Sequence, residues 1–147
     1  MKEYNVFLDV VSPELRLKDL TARIGMEPSD SAHDLGSPRT LKGVWTETVW
    51  RLESDAPESA SLEDHCRNLL TQARSGGVLE TIRHLQGIRA FINIAAFFGT
   101  AMCTVTIPDV CLEALRDYPL GLEVACYPAD MGSPEPGGHP GPSTERS

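Results

Sequence analysis

The only adjacent histidine–cysteine pair in the sequence, His65 and Cys66, is the first candidate for nucleophilic catalysis. A cysteine nucleophile needs a base within hydrogen-bond reach. Both residues fall in a segment with helical periodicity, where neighbouring side chains point about 100° apart and do not face each other. No motif pairs another cysteine with His33 or His84. The sequence therefore predicts no catalytic centre, and we expect a protein that is not an enzyme.

Metal and phosphate chemistry also lack the residue spacing that they require. The histidines have neither the HxxxH nor the HxH spacing that places two metal ligands together, and the cysteines form no CxxC pair. Gly76 and Gly77 precede a helical segment without the further glycines or the Gly-Lys-Ser/Thr of a phosphate-binding loop. We therefore expect no metal ion and no cofactor. The histidines are residues 33, 65, 84 and 139, and the cysteines are residues 66, 103, 111 and 126.

Cysteines scattered in this way are typical of buried free thiols in a reducing compartment. No apolar run approaches the roughly 20 residues that span a bilayer. The first residues lack the basic and apolar segments of a signal peptide. The sequence thus predicts a cytoplasmic protein.

The chain is acidic, with 13 Lys and Arg residues against 21 Asp and Glu residues and a formal charge of -8. Phosphates repel such a protein, so we expect a basic protein partner rather than a nucleic acid or an anionic membrane. Five carboxylates fall within residues 52–66, which contain no Lys or Arg. They form either a docking face for a cationic partner or a solvated loop whose acids stabilise the first turn of the next helix. These carboxylates are Glu53, Asp55, Glu58, Glu63 and Asp64.

A long polar loop, residues 26–43, precedes an apolar run that contains both tryptophans. Loops of this length are often functional. Trp45 and Trp50 are an odd number of residues apart, so on a regular strand they face opposite sides of the sheet. We expect one in the core and the other either exposed, as a binding hot spot, or covered by the loop. Arg39 and Lys42 are candidate contacts for an anion.

Hydrophobic periodicity predicts the element order β-α-β-α(α)-β-β-α-β. Helices that alternate with a hairpin favour an α+β sandwich, with one antiparallel or mixed sheet and the helices on one face. A ferredoxin-like or split βαβ topology fits this order best. The predicted strands are residues 4–10, 44–53, 88–98, 102–107 and 120–126.

Local signals predict where the helices begin and end. Ser12 and Ser61 are predicted N-caps, the pair Gly76-Gly77 is predicted to break a helix, and Pro108 is predicted to start another. A tight turn at Gly99-Thr100 is predicted to join the third and fourth strands.

The chain divides at residue 128. Residues 1–127 have the patterning of a single α+β domain. Residues 128–147 contain five prolines and four glycines and carry a net charge of -2, which leaves -6 on the domain. Such a segment buries too little apolar surface to offset its ordering entropy, so it is predicted to be a disordered tail.

The segment MEPSDSAHDLGSPRTLKGVWTETVWRLES, which begins at Met26, resembles the signature of the bacterial family catalogued as domain of unknown function 4279. The resemblance extends over about residues 3–127. It implies a small soluble protein, and it carries over no catalytic residues. Families of this kind are associated with polymorphic toxin systems, in which immunity proteins bind and block a toxin. The matching positions are Glu27-Pro28-Ser29, Gly36, Gly43-Val44-Trp45, Leu69-Leu70 and residues 122–127, LEVACY.

Two functional hypotheses follow. The first is a non-catalytic protein-binding module, an immunity-type inhibitor that blocks a basic bacterial toxin through an acidic face containing Glu53, Asp55 and Glu58. The second is a small-ligand-binding or regulatory domain with a pocket under the 26–43 loop, where Arg39 and Lys42 contact an anion and Trp45 forms the apolar wall. A homodimer formed through edge strands is compatible with either hypothesis.

Overall fold

A computed structural model of the chain describes residues 3–99 and 102–128. Within this range four strands form one sheet and four helices pack on one side of it. The strands are β1 (Tyr4–Ser12), β2 (Thr48–Glu53), β3 (Arg89–Phe98) and β4 (Gly121–Pro128). The helices are α1 (Leu17–Ile24), α2 (Leu62–Ser75), α3 (Val78–His84) and α4 (Asp109–Asp117). The predicted α+β class, with one sheet and its helices on one face, is confirmed.

The sheet is mixed, with strand order β2-β1-β3-β4. Strand β1 lies antiparallel to both β2 and β3. Strand β4 lies parallel to β3, because the chain crosses back through α4 before it enters β4. The two strands of this βαβ unit are direct neighbours. This order differs from the predicted ferredoxin-like or split βαβ topology, in which another strand separates the two parallel strands.

The core lies between the sheet and the helices. Alternate residues of the strands point into it, as period-two patterning requires, and they meet the apolar stripes of the helices. Val6, Leu8 and Val10 of β1 are fully buried on this side. The fully buried partners include Trp50 and Ile94 from neighbouring strands and Leu20 and Leu69 from the helices.

Helix α2 begins and ends where the sequence predicts. The Ser61 hydroxyl accepts a hydrogen bond from the backbone N–H of Asp64 at 3.1 Å, so Ser61 is the N-cap. At the other end the backbone at Gly77 has φ 72°, a left-handed conformation that glycine adopts without steric cost. The chain therefore turns between α2 and α3 at the predicted Gly76-Gly77 pair.

Helix α1, in contrast, begins later than predicted. The Ser12 hydroxyl accepts hydrogen bonds from the N–H groups of Glu14 and Leu15 at 3.3 and 3.0 Å, so Ser12 caps a turn and not the helix. The helix starts at Leu17, whose N–H donates to the Asp34 carboxylate at 2.8 Å. The acceptor comes from the distant loop, which local sequence signals cannot indicate.

The strand predicted at residues 102–107 is wrong. This stretch is described but has no strand pairing. Val105 and Ile107 instead pack against the core from outside the sheet. Alternating apolar residues suit any extended segment with one buried side, whereas a strand also needs a hydrogen-bonding neighbour. The turn predicted at Gly99-Thr100 lies partly outside the described residues.

The predicted tail, residues 128–147, lies outside the described residues except for Pro128, which ends β4. Among the helices that the structure describes, none has the length and apolar character needed to cross a membrane.

Candidate functional site

Within the described residues, the helices pack on one face of the sheet and leave the opposite face, the open face, without helices. A groove of about 790 Å³ lies on the open face. One wall of the groove is formed by residues of the 26–43 loop together with Trp45 and Glu47, which follow it, and the sheet forms the floor. All four strands contribute to the lining, from Val49 and Arg51 on β2 to Glu123 on β4. Because side chains alternate along a strand, these residues point away from the core.

An ion pair and a neutral amide form a hydrogen-bonded triad on the floor of the groove. Asp9 is only 2% exposed and accepts two hydrogen bonds from the Arg51 guanidinium, Nε to Oδ1 at 2.7 Å and Nη2 to Oδ2 at 2.8 Å. Asn93 donates a third hydrogen bond to the same carboxylate at 3.3 Å. The strand register places Arg51 directly opposite Asp9 on the neighbouring strand. A buried carboxylate requires such partners, because an unpaired charge away from water is costly.

The Arg51 guanidinium also lies over an aromatic ring. Its Cζ atom is 4.5 Å from the centre of the Phe7 ring, and Phe7 precedes Asp9 by two residues on the same face of β1. The side chain is therefore bound at its edge by a carboxylate and at its face by a phenyl ring, which suits the planar shape of the guanidinium.

In the loop wall, the side chains of His33 and Arg39 both lie against the Trp45 ring. The rings of His33 and Trp45 are stacked with centroids 3.6 Å apart, and the Arg39 guanidinium lies 4.5 Å from the centre of the Trp45 ring. Backbone hydrogen bonds between His33 and Val49, at 2.9 and 3.0 Å, attach this wall to the edge of β2. Burial, and secondarily the charge of Arg51, lowers the pKa of His33. The imidazole is thus held in its neutral form against the indole.

Two further contacts hold the loop in place. Arg89 on β3 donates to the Glu47 carboxylate at 2.8 and 3.0 Å, across β1, and closes one end of the groove. Asp34 accepts hydrogen bonds from the Arg16 guanidinium and from the start of α1. Burial by itself raises the pKa of the Asp34 carboxyl, but these hydrogen bonds outweigh it and the net effect lowers that pKa.

The groove lining is acidic. It contains four carboxylates and two guanidiniums, a net charge of -2 with His33 neutral. Asp9 and Glu47 are paired with the two arginines. Asp30 and Glu123 make no ion pair with any residue in the described part of the chain, and both are exposed. The two unpaired carboxylates give the groove its negative charge.

The predicted binding residues are spread over several environments. Trp50 is 0% exposed and donates from its indole N–H to the Met26 carbonyl at 3.0 Å, so it belongs to the core and is not available to a ligand. Trp45 is half-buried and covered by the loop, and it lines the groove. Arg39 lies on the Trp45 ring, while Lys42 is exposed in the loop and does not line the groove.

The three predicted acids lie near the end of β2. Glu53 is half-buried and shares the open face with Phe7, its register partner. Asp55 and Glu58 are exposed in the connection to α2, where the Asp55 N–H donates to the Asn68 side chain at 2.7 Å. They do not line the groove.

Sequence reasoning missed Asp9, Arg51, Asn93 and Glu123, the polar residues at the centre of the open face. A signal was present in β1, where the acidic Asp9 interrupts the apolar run from Val6 to Val11. Its partner, however, is 42 residues away and lies on another strand.

The described residues contain no group of three or more potential ligands that could hold a metal ion. The Cys66 thiol, on α2, is buried and interacts with the Cys111 thiol on α4. The hydrogen bond with Cys111, together with burial, raises the pKa of Cys66. A protonated, buried thiol of this kind is a poor nucleophile.

Comparison of the chain with known proteins gives a match to one protein family. No curated protein matches the chain, and no solved structure matches it. A family model described as domain of unknown function (DUF4279) matches residues 2–129, which is most of the chain and agrees with the resemblance carried by the Met26 segment. The chain therefore belongs to the DUF4279 family.

Proposed function

We propose that this protein is a non-catalytic protein-binding module, of the immunity type that blocks a basic bacterial toxin, and that it binds its partner through the open face of the sheet. The observation that carries the proposal is the acidic groove of about 790 Å³ on that face. Helices cover the other face, so in the part of the chain that the structure describes the open face offers the larger uncovered surface of the sheet.

The composition of the open face suits a protein interface. Aromatic residues and arginines are enriched at such interfaces. Here Phe7 packs on Arg51, and Phe91 and Trp45 line the same groove as Arg51 and Arg89. Ion pairs with Asp9 and Glu47 hold the two arginine side chains in place before any partner arrives, which reduces the entropy lost on binding.

Charge favours a basic partner. The whole chain carries -8 and the groove lining carries -2. A surface of this sign attracts a cationic protein over long range and speeds association, and added salt weakens the attraction. Glu53, on the same face, extends the negative charge toward Asp55 and Glu58 in the β2–α2 connection.

The test is affinity capture with the full chain as bait, from lysate of the source organism, at low and high salt. The open-face variant Asp30→Lys/Glu123→Lys is compared with the control variant Asp19→Lys/Glu113→Lys, which reverses two charges on the helices. A basic protein that is captured by the wild type and the control, but lost with the open-face variant, supports the proposal. Equal capture by all three proteins, or no capture at either salt concentration, contradicts it.

The position of the groove supports a second candidate function. The groove lies between the loop and the sheet, and its volume falls within the range of about 300–1,000 Å³ typical of small-molecule pockets. A small-ligand-binding or regulatory domain is therefore the alternative proposal. With a net charge of -2 and without Lys42 in its lining, the groove suits a cationic ligand better than the anion expected from the sequence. Native mass spectrometry of the protein purified from its source tests for such a ligand.

A further inference from the structure

We propose that the groove binds the guanidinium group of an arginine side chain from the partner, between the Phe91 ring, the Glu123 carboxylate and the Asn93 amide oxygen. This inference deepens the proposed protein-binding function and rests on it. It commits the open face to one kind of contact.

The three groups lie together because of the strand register. Asn93 on β3 pairs with Glu123 on β4, so their side chains are neighbours on the open face. Phe91 precedes Asn93 by two residues and therefore shares that face. All three residues line the groove.

Space beside the ring is also available. The register partner of Phe91 on β4 is Gly121, which has no side chain. A Cβ atom at Gly121 would lie 3.5 Å from the Cβ atom of Phe91. The glycine therefore leaves the flank of the Phe91 ring uncovered by β4, where a flat group can lie against the ring.

The hydrogen-bonding capacity of the site suits a cation. Glu123 is exposed and makes no ion pair within residues 3–99 and 102–128. Asn93 uses its Nδ2 group to donate to Asp9, which leaves its Oδ1 atom as an acceptor. A carboxylate and an amide oxygen side by side accept several N–H groups, and guanidinium supplies five in one plane.

The protein itself contains a template for this contact. The Arg51 guanidinium lies 4.5 Å from the centre of the Phe7 ring, and its edge donates to Asp9, two residues further along the strand. In the same way, Phe91 lies two residues before Asn93 on β3, and Glu123 lies opposite Asn93 on β4. A guanidinium from outside would thus meet the same combination of phenyl face and carboxylate that already binds Arg51.

The experiment is an NMR titration of the isotope-labelled full chain with N-acetyl-arginine-amide. The uncharged isostere N-acetyl-citrulline-amide and the lysine analogue are titrated in parallel. We expect shift changes centred on Phe91, Asn93, Gly121 and Glu123 with the arginine probe, weaker changes with lysine, and none with citrulline. The variant Glu123→Gln should bind the arginine probe roughly tenfold more weakly, the effect of losing one charge-assisted contact.

The matched control is Glu113→Gln, which removes an exposed carboxylate from α4, away from the groove. Its affinity for the probe should equal that of the wild type. Equal binding of arginine and citrulline, an unchanged affinity in Glu123→Gln, or shifts centred on residues 53–64 would each overturn the inference. If N-acetyl-arginine-amide does not bind, while the open-face variant still loses capture of the partner, the proposed arginine contact is wrong and the protein-binding proposal stands.

Discussion

Replacement of Arg51 by methionine should destabilise the protein far more than the same replacement at a surface arginine. Methionine keeps the aliphatic length of the side chain but leaves Asp9, which is 2% exposed, without its two charge-assisted hydrogen bonds. Breaking a buried pair from one side costs about 3–5 kcal/mol. The Arg51 side chain is 20% exposed and Asn93 still donates to the carboxylate, so we expect about 2–3 kcal/mol.

The measurement is urea unfolding, followed by far-ultraviolet circular dichroism and analysed as a two-state transition. The matched control is Arg67→Met, which breaks an ion pair with Glu63 on the surface of α2. Those side chains are 60% and 54% exposed, so the control should cost at most about 0.5 kcal/mol. The double variant Asp9→Asn/Arg51→Met removes both charges and should recover part of the loss.

Two results would refute this reasoning. One is a change in the free energy of unfolding for Arg51→Met no larger than for Arg67→Met, because the pair would then contribute no more than a solvated one. The other is a double variant no more stable than Arg51→Met alone, because the cost would then come from lost packing rather than from the unpaired Asp9.

Three further predictions concern the loop and the thiols. Substitution of Asp34 by alanine should cost about 1–2 kcal/mol at pH 7, typical of a lost helix cap. Because folding lowers the pKa of Asp34, its contribution is present above the unfolded pKa of about 3.9 and is lost as the pH falls through the lower folded pKa. Unfolding measured at pH 7 and at pH 2.5 should therefore show a smaller difference between wild type and variant at the lower pH. Folding also lowers the pKa of His33, so the wild type should lose stability as the pH falls below the unfolded value of about 6.5. The variant His33→Phe should show a flatter profile between pH 7.5 and 5, and an identical slope would contradict the buried neutral imidazole. The prediction of buried thiols is correct for Cys66 and Cys111 but wrong for Cys126, which is exposed. In thiol titration of the native protein Cys126 should react first, whereas Cys66 and Cys111 should stay unmodified until the protein unfolds. Loss of the fast phase in Cys126→Ser checks this assignment, and rapid reaction of all four thiols would exclude the buried placement.

Features that depend only on residues close together in the sequence could be predicted from it. Helix α2 is an example, because its cap at Ser61 and its end near Gly76-Gly77 both follow from hydrogen bonds and backbone angles within a few residues. The predicted strand at residues 102–107 failed because it required a partner strand. Nothing local distinguishes an extended segment packed on the core from a strand paired in the sheet.

The candidate site depends almost entirely on contacts between distant residues. Asp9, Arg51 and Asn93 come from three strands and meet only through the register of the sheet. The sequence signals were the interruption of an apolar strand by Asp9 and the odd spacing of the two tryptophans. That spacing predicted one tryptophan in the core on the premise that both lie on one strand over residues 44–53. Strand β2 begins only at Thr48, so Trp45 precedes it, and the structure alone shows that the core residue is Trp50.

The sequence by itself determined the α+β class, the acidic charge of -8 and, through the Met26 segment, the family. These properties are sums over residues or patterns within short stretches of chain. Only the tertiary structure decided which face of the sheet stays open and that the lining of the groove is negative. The physical reason is that burial and pairing are set by register. Within residues 3–99 and 102–128, a carboxylate such as Glu123 makes no ion pair because Asn93 lies opposite it, and that neighbour is set by the register in which the strands pair.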